Sequence, residues 1–269
     1  MQKKFSLGAI FVFIAISIYS FNLFRQAHLK SKSDFEFRQA NAKIVDNSTI
    51  ISQVIGSDLL TNQRFSHSAH GVKTTKHDCT IKYSRKILKE LNRKNQTDQI
   101  IAFLDTGKNG IREIVAHDPQ GNYYDRRNIH GQVDQAGTIF LFATNKSPFD
   151  PYTTYFGHNM QDGSKFGKLE NYPKNRSDLQ LADLYTEEGI LKYKLILCAK
   201  VDSKWYSEIS TWNIQGVQRF FAELGQNSEI YERKESLDPK ANYMFLSTCY
   251  QNGEHYKVVA VYKLLRADQ

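Results

Sequence analysis

From about residue 100 onward the chain carries a series of short apolar runs separated by turn-forming residues, and these runs limit what it can fold into. Ile100 to Leu104 and Ile111 to Ala116 flank the turn Thr106-Gly107-Lys108-Asn109-Gly110, which reads as a hairpin. Thr138-Ile139-Phe140-Leu141-Phe142 and Tyr152-Thr153-Thr154-Tyr155-Phe156 are rich in aromatic and β-branched residues, as strands are. Further strands are expected at 191–201, 243–248 and 256–265. Helical spacing is confined to a few places. Ile81, Ile87, Leu88 and Leu91 recur on one face between Thr80 and Leu91, and Val217, Phe220, Phe221 and Leu224 do so between Ile214 and Leu224. Two short helices are expected near 164–171 and 177–183. Many short strands with one clear helical insertion predict a mainly β chain closed into a barrel.

The N-terminal part differs. Phe5 to Phe24 contains no charge and is mostly apolar, and about 20 such residues are enough to cross a hydrocarbon core as a helix. Lys3 and Lys4 before it favour a cytoplasmic N-terminus. A cleaved signal peptide is the rival, but the expected small-residue site is reduced to Ile18-Tyr19-Ser20. The expected organisation is therefore a cytoplasmic tip and transmembrane signal anchor over 1–25, a stalk or N-terminal helical region over 26–79, and a barrel domain over 80–269. The barrel would lie outside the membrane of a single-pass protein. Residues 26–45 have helix-forming composition, whereas 56–77 show no clear period. With 36 basic and 28 acidic residues the formal charge is +8. The charges are scattered, with no basic run interleaved with stacking aromatics. Nucleic acid is therefore not expected as a partner, and an anionic envelope polymer fits better.

The chain has three cysteines, Cys79, Cys198 and Cys249, too few and too odd a number for a disulfide framework. No cysteine and histidine spacing suits zinc, and no carboxylate cluster suits calcium, so neither metal nor cofactor is expected. Cys198 lies inside Leu195-Ile196-Leu197-Cys198-Ala199 and reads as a core thiol. Cys79, in a polar stretch at a helix start, has no functional reading. Cys249 ends the run Phe245-Leu246-Ser247-Thr248-Cys249, and a thiol at a strand end is partly exposed. His158 stands in Tyr155-Phe156-Gly157-His158-Asn159-Met160. An imidazole brought to the thiol by the fold raises its thiolate fraction and then protonates a leaving amine. Taken singly, each is as readily a core thiol or a turn histidine.

Together the segments resemble the class B sortases. Gly157-His158-Asn159-Met160, followed by Asp162-Gly163-Ser164 and Phe166-Gly167 with Leu169, is similar to the histidine segment of that class. Ser247-Thr248-Cys249 resembles the end of the TLxTC motif. Ala136-Gly137-Thr138-Ile139-Phe140 resembles the class B "AGSIF" strand, and Asn122-Tyr123-Tyr124 a "DNxYY"-type turn. The ordered resemblance covers roughly residues 85 to 266. It implies an eight-stranded sortase β-barrel with N-terminal helices and a helix inserted between strands six and seven, the place of the 214–224 helix. It implies a cysteine transpeptidase that cuts a C-terminal sorting signal similar to NPxTN after Thr and holds the product as a thioester. An amine of a peptidoglycan precursor or a pilin lysine would then take it over. By resemblance Cys249 is the nucleophile and His158 the general acid/base.

The pattern departs at the last strand. Lys257-Val258-Val259-Ala260-Val261-Tyr262-Lys263 aligns with "RIVVVxK" and puts Lys257 in the place of the family Arg. Lysine keeps the charge but loses the planar fork of donors. Phe245, where the motif has Thr, is expected to alter packing rather than chemistry. His255 is a rival base close to the thiol in sequence. Ser247, Thr248, Tyr250, Tyr206 and Asn122 are expected to touch substrate, with Ser247 beside the nucleophile, Tyr250 on the leaving-group side and Tyr206 walling the groove. The alternatives to transfer are a degenerate sortase-fold binding protein and a plain cysteine peptidase that releases its product to water.

Overall fold

The computed structural model describes the backbone of residues 7–62, 76–208, 213–224, 228–250 and 253–268, and side-chain surroundings over 16–47, 82–206, 213–224, 228–250 and 255–265. It forms two compact units, Met1–Lys43 and Ile44–Gln269. The first is the N-terminal part of a long helix, α1 (Leu7–Asn62). The helix-forming stretch 26–45 is helical as composition predicts, and the helix runs on to Asn62.

The transmembrane anchor expected over Phe5 to Phe24 is overturned: among the described residues, no helix is long and apolar enough to cross a membrane. The described part of that stretch soon meets charge, because Arg25, Lys30, Lys32, Asp34 and Glu36 follow Phe24 within about three turns. Phe5, Ser6 and the side chains of 7–15 lie outside the described residues. The single-pass placement in a cell membrane, and the membrane as a partner through this helix, fall with the anchor.

The second unit continues with α2 (Lys76–Lys94), β1 (Ile100–Asp105), β2 (Arg112–His117), β3 (Ile139–Leu141) and β4 (Tyr152–Phe156). Short helices α3 (Gly167–Glu170) and α4 (Tyr172–Asn175) follow, then β5 (Leu181–Thr186), β6 (Gly189–Asp202), α5 (Ser203–Glu208) and α6 (Ile214–Glu223). The chain closes with β7 (Ser228–Arg233), β8 (Tyr243–Tyr250) and β9 (Gly253–Asp268). The sheet order is β5-β1-β2-β3-β4-β8-β9-β6-β7, and β5 pairs with β6 as well. That last pairing closes eight strands into a barrel and leaves β7 appended to the far half of β6. The helix pair α5 and α6 sits between the sixth and seventh barrel strands, β6 and β8, where the resemblance places an insertion. The pairs β2–β3 and β4–β8 are parallel.

The closed ring explains why β8 and the middle of β9 read as continuous apolar runs instead of alternating ones. Met244, Leu246, Val258, Ala260 and Tyr262 point into the barrel, with Tyr155 and Phe166. Tyr243, Phe245, Val259 and Val261 point the other way, beneath Tyr206, Val217 and Phe220 of α5 and α6. Both faces of these strands are thus covered, and a strand covered on both faces shows no period. Helix α2 buries Ile87, Leu88 and Leu91. It is fastened by the buried Ser84 hydroxyl, which donates to the Thr186 carbonyl at 2.6 Å and accepts from the Thr186 N–H at 3.1 Å.

Three elements differ from expectation. The helix expected at 177–183 is a 3-10 turn (Arg176–Leu179) followed by β5. Leu181 to Thr186 joins a ladder with β6, and Ala102 to Asp105 of β1 flank Asp183 to Thr186, so tertiary pairing overrides local preference. Strand β7, Ser-Glu-Ile-Tyr-Glu-Arg, carries no apolar run because it is an edge strand, and α5 is too short to show a period.

Candidate active site

Strand alternation places the chemistry on the face of the barrel beneath α5 and α6. Phe245 lies on that face, so Ser247 and Cys249, two and four residues on, share it. Val261 and Val259 do the same on β9, and Lys257 continues the row. The ladder sets Cys249 directly opposite Lys257, and Lys257 Nζ lies 3.1 Å from Cys249 Sγ. The lysine read from sequence as standing in the Arg place thus touches the thiol.

His158 reaches the same region through the parallel pair β4–β8. Phe156 is in register with Ser247, and the Gly157 N–H donates to the Ser247 carbonyl at 3.4 Å. His158 is two residues beyond Phe156, as Cys249 is two beyond Ser247, so both sit at the same end of neighbouring strands. The imidazole is 24% exposed. Its Nε2 lies 2.6 Å from the Asp125 carbonyl oxygen, with the Asp125 carboxylate at 3.4 Å. A carbonyl only accepts, so Nε2 carries the proton and Nδ1 is left for other work.

Asp125 was missed in the sequence, although it directly follows Asn122-Tyr123-Tyr124. It lies within a 3-10 turn (Tyr123–Arg126) pinned by the buried Asp118, whose carboxylate accepts from the N–H groups of Gln120, Gly121 and Tyr124. Asn122 itself is exposed, and its side chain makes no cap hydrogen bond to that turn.

The other sequence-predicted residues divide by face. Ser247 is fully buried beside Tyr206. Burial pushes the Tyr206 phenol well up, and the Ser247 hydroxyl offsets part of this. Tyr206 packs edge-on against Phe220, as a wall of this face. Thr248 is buried on the inner side with Leu246, opposite Val258, and so faces the barrel core rather than the groove. Tyr250 lies under the Lys200 ammonium, 4.2 Å from its ring centroid, and Tyr256 takes the same cation at 4.6 Å. The rival base His255 is exposed. Phe245 is a packing residue, edge-on to Phe220. Cys198 is a core thiol pushed up by burial, with Glu232 adding to the effect, and is unreactive on that account. The side chain of Cys79 lies outside the described residues.

No family model matches the chain. Sortase B of Listeria monocytogenes is 24% identical over 174 residues, spanning 63% of this chain and 70% of that protein. A mutant form of Clostridium perfringens sortase B superposes with a TM-score of 0.58 at 15% identity, covering 72% of this chain and 92% of that one. A Staphylococcus aureus sortase B–substrate complex superposes with a TM-score of 0.57 at 20% identity, covering 71% and 92%. The chain therefore has the fold of the sortase B structures and is similar in sequence to sortase B of Listeria monocytogenes.

Proposed function

We propose that the chain is a class B-type sortase, a cysteine transpeptidase in which Cys249 is the nucleophile, His158 the acid and base, and Lys257 the positive charge that replaces the family arginine. The observation that carries this is the Lys257 ammonium 3.1 Å from Cys249 Sγ, at the strand end to which β4 also brings His158. An ammonium beside sulfur suits the thiolate, the nucleophilic form, and the oxyanion that follows attack. The sulfur attacks the carbonyl carbon of the Thr in an NPxTN-like sorting signal. The C–N bond breaks, and the leaving amine takes a proton from His158, leaving a thioester. An acceptor amine attacks that thioester, His158 takes its proton, and the C–S bond breaks to return the thiolate. The acceptor would be a peptidoglycan precursor, as in anchoring of surface proteins to a cell wall. Ser247 and Tyr206, expected from sequence to touch substrate, are instead buried where α5 and α6 cover the barrel and support the strand that carries Cys249.

The test mixes the protein and its Cys249→Ala variant with NPQTN-like and LPxTG-like peptides, with and without oligoglycine or diamino-acid amines, and reads product masses. Cleavage after Thr with amine incorporated, lost in the variant, is expected. Cleavage without incorporation at any amine concentration would replace transfer with hydrolysis. No cleavage and no thioester would remove the enzymatic reading.

A further inference from the structure

His158 begins a loop that closes on itself. The Phe166 N–H donates to the His158 carbonyl at 3.0 Å, and Asn159 and Lys165 form an isolated antiparallel bridge. Inside this neck the Gly163 N–H bonds the Met160 carbonyl and the Gly167 N–H the Ser164 carbonyl, each at 2.9 Å. The neck depends on Lys165, whose φ of +51° is left-handed, a conformation uncommon for a residue with a side chain.

Glu113 of β2 holds Lys165 there. One carboxylate oxygen accepts from the Lys165 backbone N–H at 3.1 Å, and the other meets the Lys165 ammonium at 3.2 Å. The Glu113 side chain is 4% exposed and that of Lys165 12%. Taking two charges this far out of water is costly, and a pair of apolar side chains of the same size stabilises a fold as well or better. What an apolar pair lacks is an acceptor for the Lys165 N–H and a charge that sets its backbone against β2. A second tie runs the same way: the Lys168 ammonium donates to the Gly110 carbonyl at 2.7 Å and also to that of Asn109. Both ties join the histidine loop to the β1–β2 hairpin, while Asp125 meets the imidazole itself.

We propose that Glu113 and Lys165 are a positioning pair for His158, a buried ion pair kept for the geometry of the loop neck and not for stability. This rests on the reading of His158 as the acid and base of the transfer. Glu113→Gln strands the Lys165 ammonium and is expected to unfold early. The deciding variant is therefore Glu113→Met combined with Lys165→Met, which removes both charges and keeps the volume.

The double variant is expected to melt only a few degrees below the parent, the cost of leaving the Lys165 N–H without its acceptor, while kcat for peptide transfer falls about 10- to 100-fold with KM within about twofold, as a displaced acid–base group would give. The His158 ring signals in NMR, assigned with His158→Gln, are expected to change in chemical shift, and their contacts with the Asp125 turn to weaken, in the double variant at fixed pH. Unchanged ring shifts and contacts with unchanged kcat would overturn the proposal and leave the pair a packing feature. If the parent protein turns over no peptide, the proposed activity fails, yet the ring shifts and contacts alone still uphold or overturn the positioning role.

Discussion

A Cβ on Gly137 would lie 2.4 Å from the Asp125 carbonyl oxygen and 2.8 Å from that of Tyr124, at a φ of +59°. Glycine is required there because the strand after it must pass close over the turn whose carbonyl holds His158. Gly137→Ala is expected to lower stability by about 1–3 kcal/mol and to push that carbonyl away from the imidazole. A thermal melt checks the first effect and the kcat of transfer the second, and a variant unchanged in both would show the turn to be pliable. Lys257 is the other residue whose identity matters. Lys257→Ala is expected to lose at least about 100-fold in kcat, whereas Lys257→Arg retains turnover, because what is needed is a positive charge at the sulfur and the developing oxyanion. Initial rates with a cleaved peptide decide it, and full activity in the Ala variant rules the role out. Cys249, His158 and Lys257 were all visible in the sequence. Asp125, Glu113 and Lys165 were not, because an ordinary carboxylate or ammonium carries no sign of the backbone group it will meet.

Strand β7 shows what an edge element adds. It carries Glu232, which lies against the Tyr172 hydroxyl and 2.7 Å from the Arg176 guanidinium. Burial alone would raise the Glu232 carboxyl, but the hydrogen bonds from Tyr172 and Arg176 and the nearby Lys234 outweigh it and hold the carboxyl below its usual 4.5. A carboxyl depressed in the folded state contributes stability above its unfolded value, and that stability is lost as pH falls through the folded value. The acid-side loss of stability below about pH 4.5 is therefore expected to be smaller in Glu232→Gln than in the parent. Urea midpoints at about pH 6 and about pH 3 measure it, and equal acid-side losses would mean that Glu232 does not link folding to pH. The strand was illegible in the sequence because Ser-Glu-Ile-Tyr-Glu-Arg packs little apolar surface. By contrast β4 was read to its ends, since Tyr152 to Phe156 is bounded by Pro151 and Gly157.

At the scale of the whole molecule, the barrel strands run from Ile100 to Asp268 and the two apolar layers from Ala102 to Tyr262, all within the unit Ile44–Gln269. A chain beginning at Ile44 is expected to unfold in one cooperative transition with a denaturant midpoint close to that of the full chain. A broad or absent transition would show that the unit does not fold on its own. The mainly β class and the barrel followed from local patterns, because short runs and turns are properties of neighbours in sequence, while the place of the helical insertion and the three candidate side chains came from motifs that resemble a known family. The closure through β5 and β6, the two covered faces of β8 and the contact of Lys257 with Cys249 depended on pairings between distant strands. So did the hold of Asp125 and Glu113 on the histidine loop. Such pairings are chosen by which faces can be buried together, and that is a property of the assembled barrel and of no single stretch of the chain.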